Sequence, residues 1–149
     1  SVHKLACGQK LGVYCQRHKM QTERRIHMYR KTIQHEKENL SNGLISEELI
    51  YACLMTCEKV ISKNAYLEKK WSKWYEDFTG SADASNYRAD RLTWMEYRKK
   101  LQSLLLDKHS MREIIQNTKS TKVYTDIAPK TMVKTVIDLI DTGKYVLLL

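Results

Sequence analysis

Apolar residues recur along most of this chain in steps of three and four, which gathers them on one side of an α-helix. The first twenty residues are the exception, because Gly8 and Gly12 interrupt a short apolar stretch. From about Thr22 to about Asn39 the spacing predicts a helix. Thr22 is its N-cap, Glu23 lies in its first turn, and Ile26, Tyr29, Ile33 and Leu40 share one side. The run Asn39-Leu40-Ser41-Asn42-Gly43 is the turn that stops it. Ser46 caps a second helix, with Glu47 and Glu48 at the positive end of its dipole. Its apolar stripe runs through Ile50, Cys53, Leu54, Cys57, Val60, Ile61, Leu67, Trp71, Trp74, Tyr75 and Phe78 to a stop at Gly80. That is about 33 residues, or roughly 50 Å, an unusual length for a globular protein.

The pattern continues after a short polar loop, Ser81 to Ser85. A third helix is predicted from about Asn86 to Lys108, with Tyr87, Leu92, Met95, Leu101, Leu104 and Leu105 as its apolar side. Trp94 and Tyr97 stand between charged neighbours and are expected to be partly exposed. Ser110-Met111-Arg112-Glu113 reads as a capping box for a short fourth helix ending near Thr118. Lys119 to Ala128 reads as a loop, and Pro129 opens a fifth helix where its missing N–H costs nothing. Met132, Val133, Val136, Ile137 and Ile140 form the apolar face of that helix, and Gly143 stops it. Residues 144–149 end the sequence in Tyr145-Val146-Leu147-Leu148-Leu149. So apolar an end must dock on the core, meet a partner or enter a membrane interface, since chain ends are ordinarily polar and frayed.

Composition supports the same fold class. Five Gly and one Pro leave too little turn chemistry for many short strands. The expectation is one all-α domain over residues 1–149: a five-helix up-down bundle around one very long central helix.

Charge narrows the partners. The net charge is +9, from 26 Lys+Arg against 17 Asp+Glu. Residues 1–45 carry nine Lys/Arg and three Asp/Glu, so the excess is concentrated there. An excess of this size favours an anionic partner: a membrane, an acidic glycoprotein or nucleic acid. Arg24, Arg25, Arg30 and Lys31 lie in the first half; Lys59, Lys63, Lys69, Lys70 and Lys73 line the outer side of the second helix; Arg98, Lys99 and Lys100 form a third group. Any one of these groups alone would be read as a solvated helix face.

Four cysteines, an even count in a small chain, point to disulfides and an oxidising compartment. The opening at Ser1, without a charged and apolar leader, reads with them as a mature secreted chain. Asn39-Leu40-Ser41 is a glycosylation triplet compatible with that reading. Cys53 and Cys57 are one helical turn apart, about 6 Å, too far to bond each other. Two bridges from Cys7 and Cys15 in segment 1–20 to this helix are therefore expected, with the pairing open. Each would add about 3–4 kcal/mol in the chain-entropy model. Zinc is the weaker reading, because Cys53-x-x-x-Cys57 and Cys7-x7-Cys15 match no common ligand spacing. No phosphate loop, nucleophile elbow or dinucleotide fingerprint occurs, and the five histidines share no helical face. No catalytic, cofactor-binding or metal residue is expected, and no small-molecule substrate.

The order of parts carries a resemblance. A basic helix ends in a Gly43 turn, and a very long helix closes on Lys69-Lys70-Trp71-Ser72-Lys73-Trp74-Tyr75-Glu76-Asp77-Phe78. A Gly80 loop leads to Asn86-Tyr87-Arg88 and a basic helix ending in Leu104-Leu105-Leu106-Asp107-Lys108. Over about residues 43–113 this spacing resembles the abalone sperm lysin family of acrosomal proteins. The resemblance implies a small, basic, secreted five-helix protein that acts at fertilisation by binding, without enzymatic chemistry. Such a protein is held in the acrosomal vesicle of sperm and released or displayed on the acrosomal process. One branch of the family opens the egg vitelline envelope by binding an envelope glycoprotein; its sister branch is fusagenic. The four cysteines, the weaker charge on the later helices and the apolar end depart from the envelope-opening branch and favour the fusagenic one.

On that reading the partner is an anionic membrane surface or an egg-coat glycoprotein, and the chain is a monomer or weak homodimer. The expected contact surface comprises the basic residues Arg24, Arg25, Arg30, Lys31, Lys69, Lys70, Lys73, Arg98, Lys99 and Lys100. To these it adds Val133, Val136, Ile137 and Ile140 of the fifth helix and Tyr145 to Leu149. A lysin-like envelope binder and a basic helical cytokine-like receptor ligand are the alternatives. Nucleic acid ranks behind all of these, since secretion argues against it.

Overall fold

The computed structural model describes residues 32–75, 82–120 and 128–149, and these are mostly helical. The all-α class expected from the pattern holds. Among the described residues there are five helices: α1 (32–41), α2 (Glu47–Tyr75), α3 (Ala82–Leu105), α4 (Met111–Ser120) and α5 (Lys130–Thr142). Two three-residue strands, β1 (Leu44–Ser46) and β2 (Val146–Leu148), join them. The predicted start of the first helix and the end of the second, with Phe78 and Gly80, lie outside the described residues.

The helix boundaries follow from local chemistry. Ser46 Oγ accepts the Leu49 N–H at 3.1 Å and so satisfies one of the free donors at the start of α2. Glu47 and Glu48 follow in its first turn, against the positive end of the dipole. The capping box of α4 forms in both directions: the Ser110 N–H donates to Glu113 Oε2 at 2.9 Å, and the Glu113 N–H donates to Ser110 Oγ at 3.3 Å. Pro129 precedes α5 with φ −58° and ψ 145°, and Gly143 closes it in the left-handed region with φ 69°. Three boundaries differ from expectation. α3 begins at Ala82, within the stretch read as a loop, and ends at Leu105 rather than near Lys108; α4 continues through Ser120.

α2 is the spine, 29 residues or about 43 Å long. α3 packs antiparallel along it, as successive cross-links show: Glu68 with Arg88 and Arg91, Asn64 with Asp90, Glu58 with Arg98, and Glu47 with Lys108. The core lies toward the start of α2, where Leu49, Ile50, Cys53, Leu54 and Cys57 meet Leu101 and Leu105 of α3, Ile114 of α4 and Val133 and Val136 of α5. Thr56, fully buried there, donates to Ala128 O at 2.6 Å, fixing the approach to α5 onto α2.

Trp94 corrects an expectation. It is only 3 % exposed, whereas Leu92, assigned to the apolar side, is 50 % exposed. The seam of α3 runs through Ala84, Tyr87, Arg91, Trp94, Arg98, Leu101 and Leu105, in alternating steps of three and four. Arginines at two of these positions hid the phase of the helix. Trp94 stacks edge-to-face on Tyr97, centroids 5.1 Å apart.

The apolar end docks as a strand. β2 pairs in parallel with β1, Leu44 opposite Val146 and Ser46 opposite Leu148, so everything between the two strands forms one crossover. The Val146 N–H donates to Gly43 O at 2.8 Å. Gly43 sits at φ 71°, and a Cβ there would lie 3.0 Å from Lys144 O, so the close approach of the two segments requires glycine.

Candidate functional site

The basic residues expected at the contact surface divide into three groups. Arg24, Arg25, Arg30 and Lys31 lie outside the described residues, as does the side chain of Lys73. Lys69 and Lys70 are exposed on α2, and Lys99 is exposed on α3. Arg98 and Lys100 are not a free cationic cluster, because Arg98 Nη1 donates to Glu58 at 3.0 Å and Lys100 Nζ to Asp141 at 2.7 Å. The Asp141 hydrogen bond holds the Lys100 pKa above its ordinary value.

The fifth-helix residues require a correction. Val133 and Val136 are completely buried and Ile137 nearly so, with Ile140 half-buried at the edge of the core. The face of α5 that looked free for a membrane is the face that packs on α2 and α3, since an apolar helical stripe is spent on the nearest core. Its tail behaves differently. Tyr145 and Leu147 turn inward and are half-buried, while Val146, Leu148 and Leu149 stand exposed at 59 %, 44 % and 47 %.

Cys53 and Cys57 lie at the centre of the core and have no disulfide partner among the described residues. Burial raises both pKa values, that of Cys57 to about 12, and nearby Glu58 adds to the effect at Cys57. Cys7 and Cys15, the partners expected for them, lie outside the described residues. Close by, the buried Glu36 accepts a hydrogen bond from Ser46 Oγ at 2.8 Å through Oε1, and Oε2 has no partner among the described residues.

Beyond Val60 the α2–α3 seam turns polar. Asn64, 6 % exposed, donates to Asp90 at 2.6 Å. Glu68 accepts from Arg88 at 2.7 Å and from Arg91 at 3.0 Å, and these two bonds hold its carboxyl below the usual range. At the opposite end of the hairpin Glu47 bonds both Lys108 and His109. Partial burial pushes its pKa up, yet the bonds to His109 and Lys108 outweigh this and leave it lowered.

Among the described residues, two concavities flank the seam. One, of about 560 Å³, lies between Glu58 on α2, Arg98 on α3 and the exposed Met111 and Ile115 of α4. The other, of about 670 Å³, is bounded by α2, the first half of α3 and the start of α5. Lys59, Lys63 and Lys130 surround it. Sequence reasoning placed Lys59 and Lys63 on the outer side of α2 but not this groove, because Lys130 arrives from a helix some seventy positions away. One signal was present: Asn64 interrupts the apolar series Ile50, Cys53, Cys57, Val60, Leu67 and Trp71 at a seam position.

Among the described residues no group of His, Cys, Asp and Glu could hold a metal ion, and no helix is long and apolar enough to cross a membrane. No known protein family matches the chain, and neither does any characterised protein or solved structure.

Proposed function

We propose that this chain is a sperm acrosomal protein of the lysin type that acts without catalysis at fertilisation, in the fusagenic role. On this reading it is secreted, binds anionic membrane surfaces through its basic helical faces, and perturbs them with its C-terminal strand. The observation that carries the reading is the exposed side of β2. Val146, Leu148 and Leu149 form an apolar edge at the end of a chain of net charge +9, with Lys144 beside them. Lys69 and Lys70, exposed on the long helix, add cations that attract anionic headgroups, each worth about 1 kcal/mol near a charged bilayer. Each CH₂ that enters the interface adds about 0.8 kcal/mol. The lysin-like up-down bundle belongs to the same proposal, and the antiparallel pairing of α2 and α3 supports it.

The test is leakage and lipid mixing of phosphatidylserine vesicles by the intact protein and by a Val146→Ser/Leu148→Ser variant. Both positions face solvent, so the variant keeps Tyr145 and Leu147 docked. It is expected to need at least tenfold more protein for the same leakage. Equal leakage by the two proteins would reject the membrane role of β2 and turn attention to the egg envelope.

A further inference from the structure

We infer that the groove bounded by α2, α3 and the start of α5 is a binding site for a sulfated saccharide unit. The inference stands apart from the membrane reading, since it uses none of the β2 residues. It begins with charge. Along the α2–α3 interface the basic residues are matched: Arg88 and Arg91 bond Glu68, Arg98 bonds Glu58, and at the far end Lys108 bonds Glu47. Lys59, Lys63 and Lys130 are not. None has a carboxylate within ion-pair distance among the described residues, although all three border one concavity. Among the described residues the one acid lining the groove, Asp90, already accepts a hydrogen bond from Asn64 at 2.6 Å. Three ammonium groups against one occupied carboxylate give the described lining a positive balance.

The placement of the cations is fixed by the fold. Lys59 and Lys63 are one turn apart on α2 and share a side of the helix. Lys130 comes from α5, its ammonium 6.0 Å from the centre of the buried Trp94 ring, a contact that steadies the long side chain. Lys130 is also the first residue of a 13-residue helix with no side-chain cap and no acid in its first turn. The positive end of that helix is therefore left uncompensated at the groove edge. Charges brought by two helices to the lining of one concavity suit an oxyanion, and lysine binds such a group as a point charge.

A bare anion would use only part of the site. The groove lining also carries Leu67 and the half-buried Tyr87 ring, a surface for the C–H face of a sugar. The side-chain carbonyl of Asn64 and the amide of Asn86 supply hydrogen-bond partners for hydroxyls. At about 670 Å³ the concavity lies in the range of small-ligand sites.

The experiment is calorimetric titration of the intact protein with 6′-sulfated N-acetyllactosamine, unsulfated N-acetyllactosamine and inorganic sulfate, followed by amide shift mapping. The sulfated sugar is expected to bind at least tenfold more tightly than either comparison ligand and to shift Lys63, Tyr87 and Lys130. Charge reversal at Lys59→Glu and Lys63→Glu is expected to weaken it at least tenfold. Lys59→Gln with Lys63→Gln, milder for the fold, should give an intermediate loss, and the Val146→Ser/Leu148→Ser protein should bind unchanged. Equal binding of the unsulfated sugar or of inorganic sulfate would overturn the inference, as would binding indifferent to the two lysines. Failure of the sugar beside tight, Lys59- and Lys63-dependent binding of phosphatidylserine vesicles would overturn it too, making the groove a headgroup site.

Discussion

Near the start of α2 the α2–α3 hairpin is packed dry: Leu49, Ile50, Cys53 and Cys57 meet Leu101 and Leu105 with no measurable exposure. Some two turns further along, the same two helices meet through Asn64 and Asp90, and then through Glu68 with Arg88 and Arg91. The dry end gains from apolar burial at about 25 cal/mol per Å² and is joined there by α4, α5 and both strands. Among the described residues the polar end has the two helices, the start of α5 at the groove and some ion pairs, and exposed ion pairs contribute little to stability. What polar groups at seam positions do supply is register: Asn64 and Glu68 find their partners in one alignment of the helices and lose them on a slip of one turn. Among the described residues, apolar burial is thus concentrated at one end of the hairpin, and the other end carries the charge and a concave surface.

Mutations should separate the ends by size of effect. Leu101→Ala removes a completely buried side chain beneath α2 and is expected to cost about 2–5 kcal/mol, read as a lowered urea midpoint. A loss under about 1 kcal/mol would mean that the dry end is looser than its packing indicates. Glu68→Gln should do far less at neutral pH and low salt, and less still at high salt. Its signature is in acid. The Glu68 pKa is lowered in the fold, so its contribution is present above the ordinary value of 4.5 and disappears as pH falls through the lower folded value. The variant should therefore lose less stability than the parent between neutral pH and acid, and parallel pH curves for the two would contradict the assigned ion pairs.

The same division decides what could be read from the sequence. At the dry end the stripe from Ile50 to Val60, the Ser46 cap, the capping box at Ser110 and the Pro129 and Gly143 boundaries of α5 all follow from local patterns, and the structure has them. The polar end was less legible because Arg91 and Arg98 occupy seam positions, and an apolar count shifts the phase from Trp94 to Leu92. β2 escaped notice for a different reason. Three residues carry no strand pattern of their own, and the pairing that makes them a strand involves β1, a hundred positions earlier. The apolar face of α5 was visible, but its destination was not: amphipathicity specifies a buried side without saying whether core or membrane covers it. The groove joins α2, α3 and α5, so no local pattern announces it.

Native-state amide hydrogen exchange along α2 tests this division most directly. The expected result is slow exchange, at the level of global unfolding, from Leu49 to Cys57, with protection falling beyond Val60 and lower again around Glu68. Uniform protection from Leu49 to Trp71 would show that the ion-paired end is as firmly held as the core, and would contradict the concentration of stability at the dry end of the hairpin.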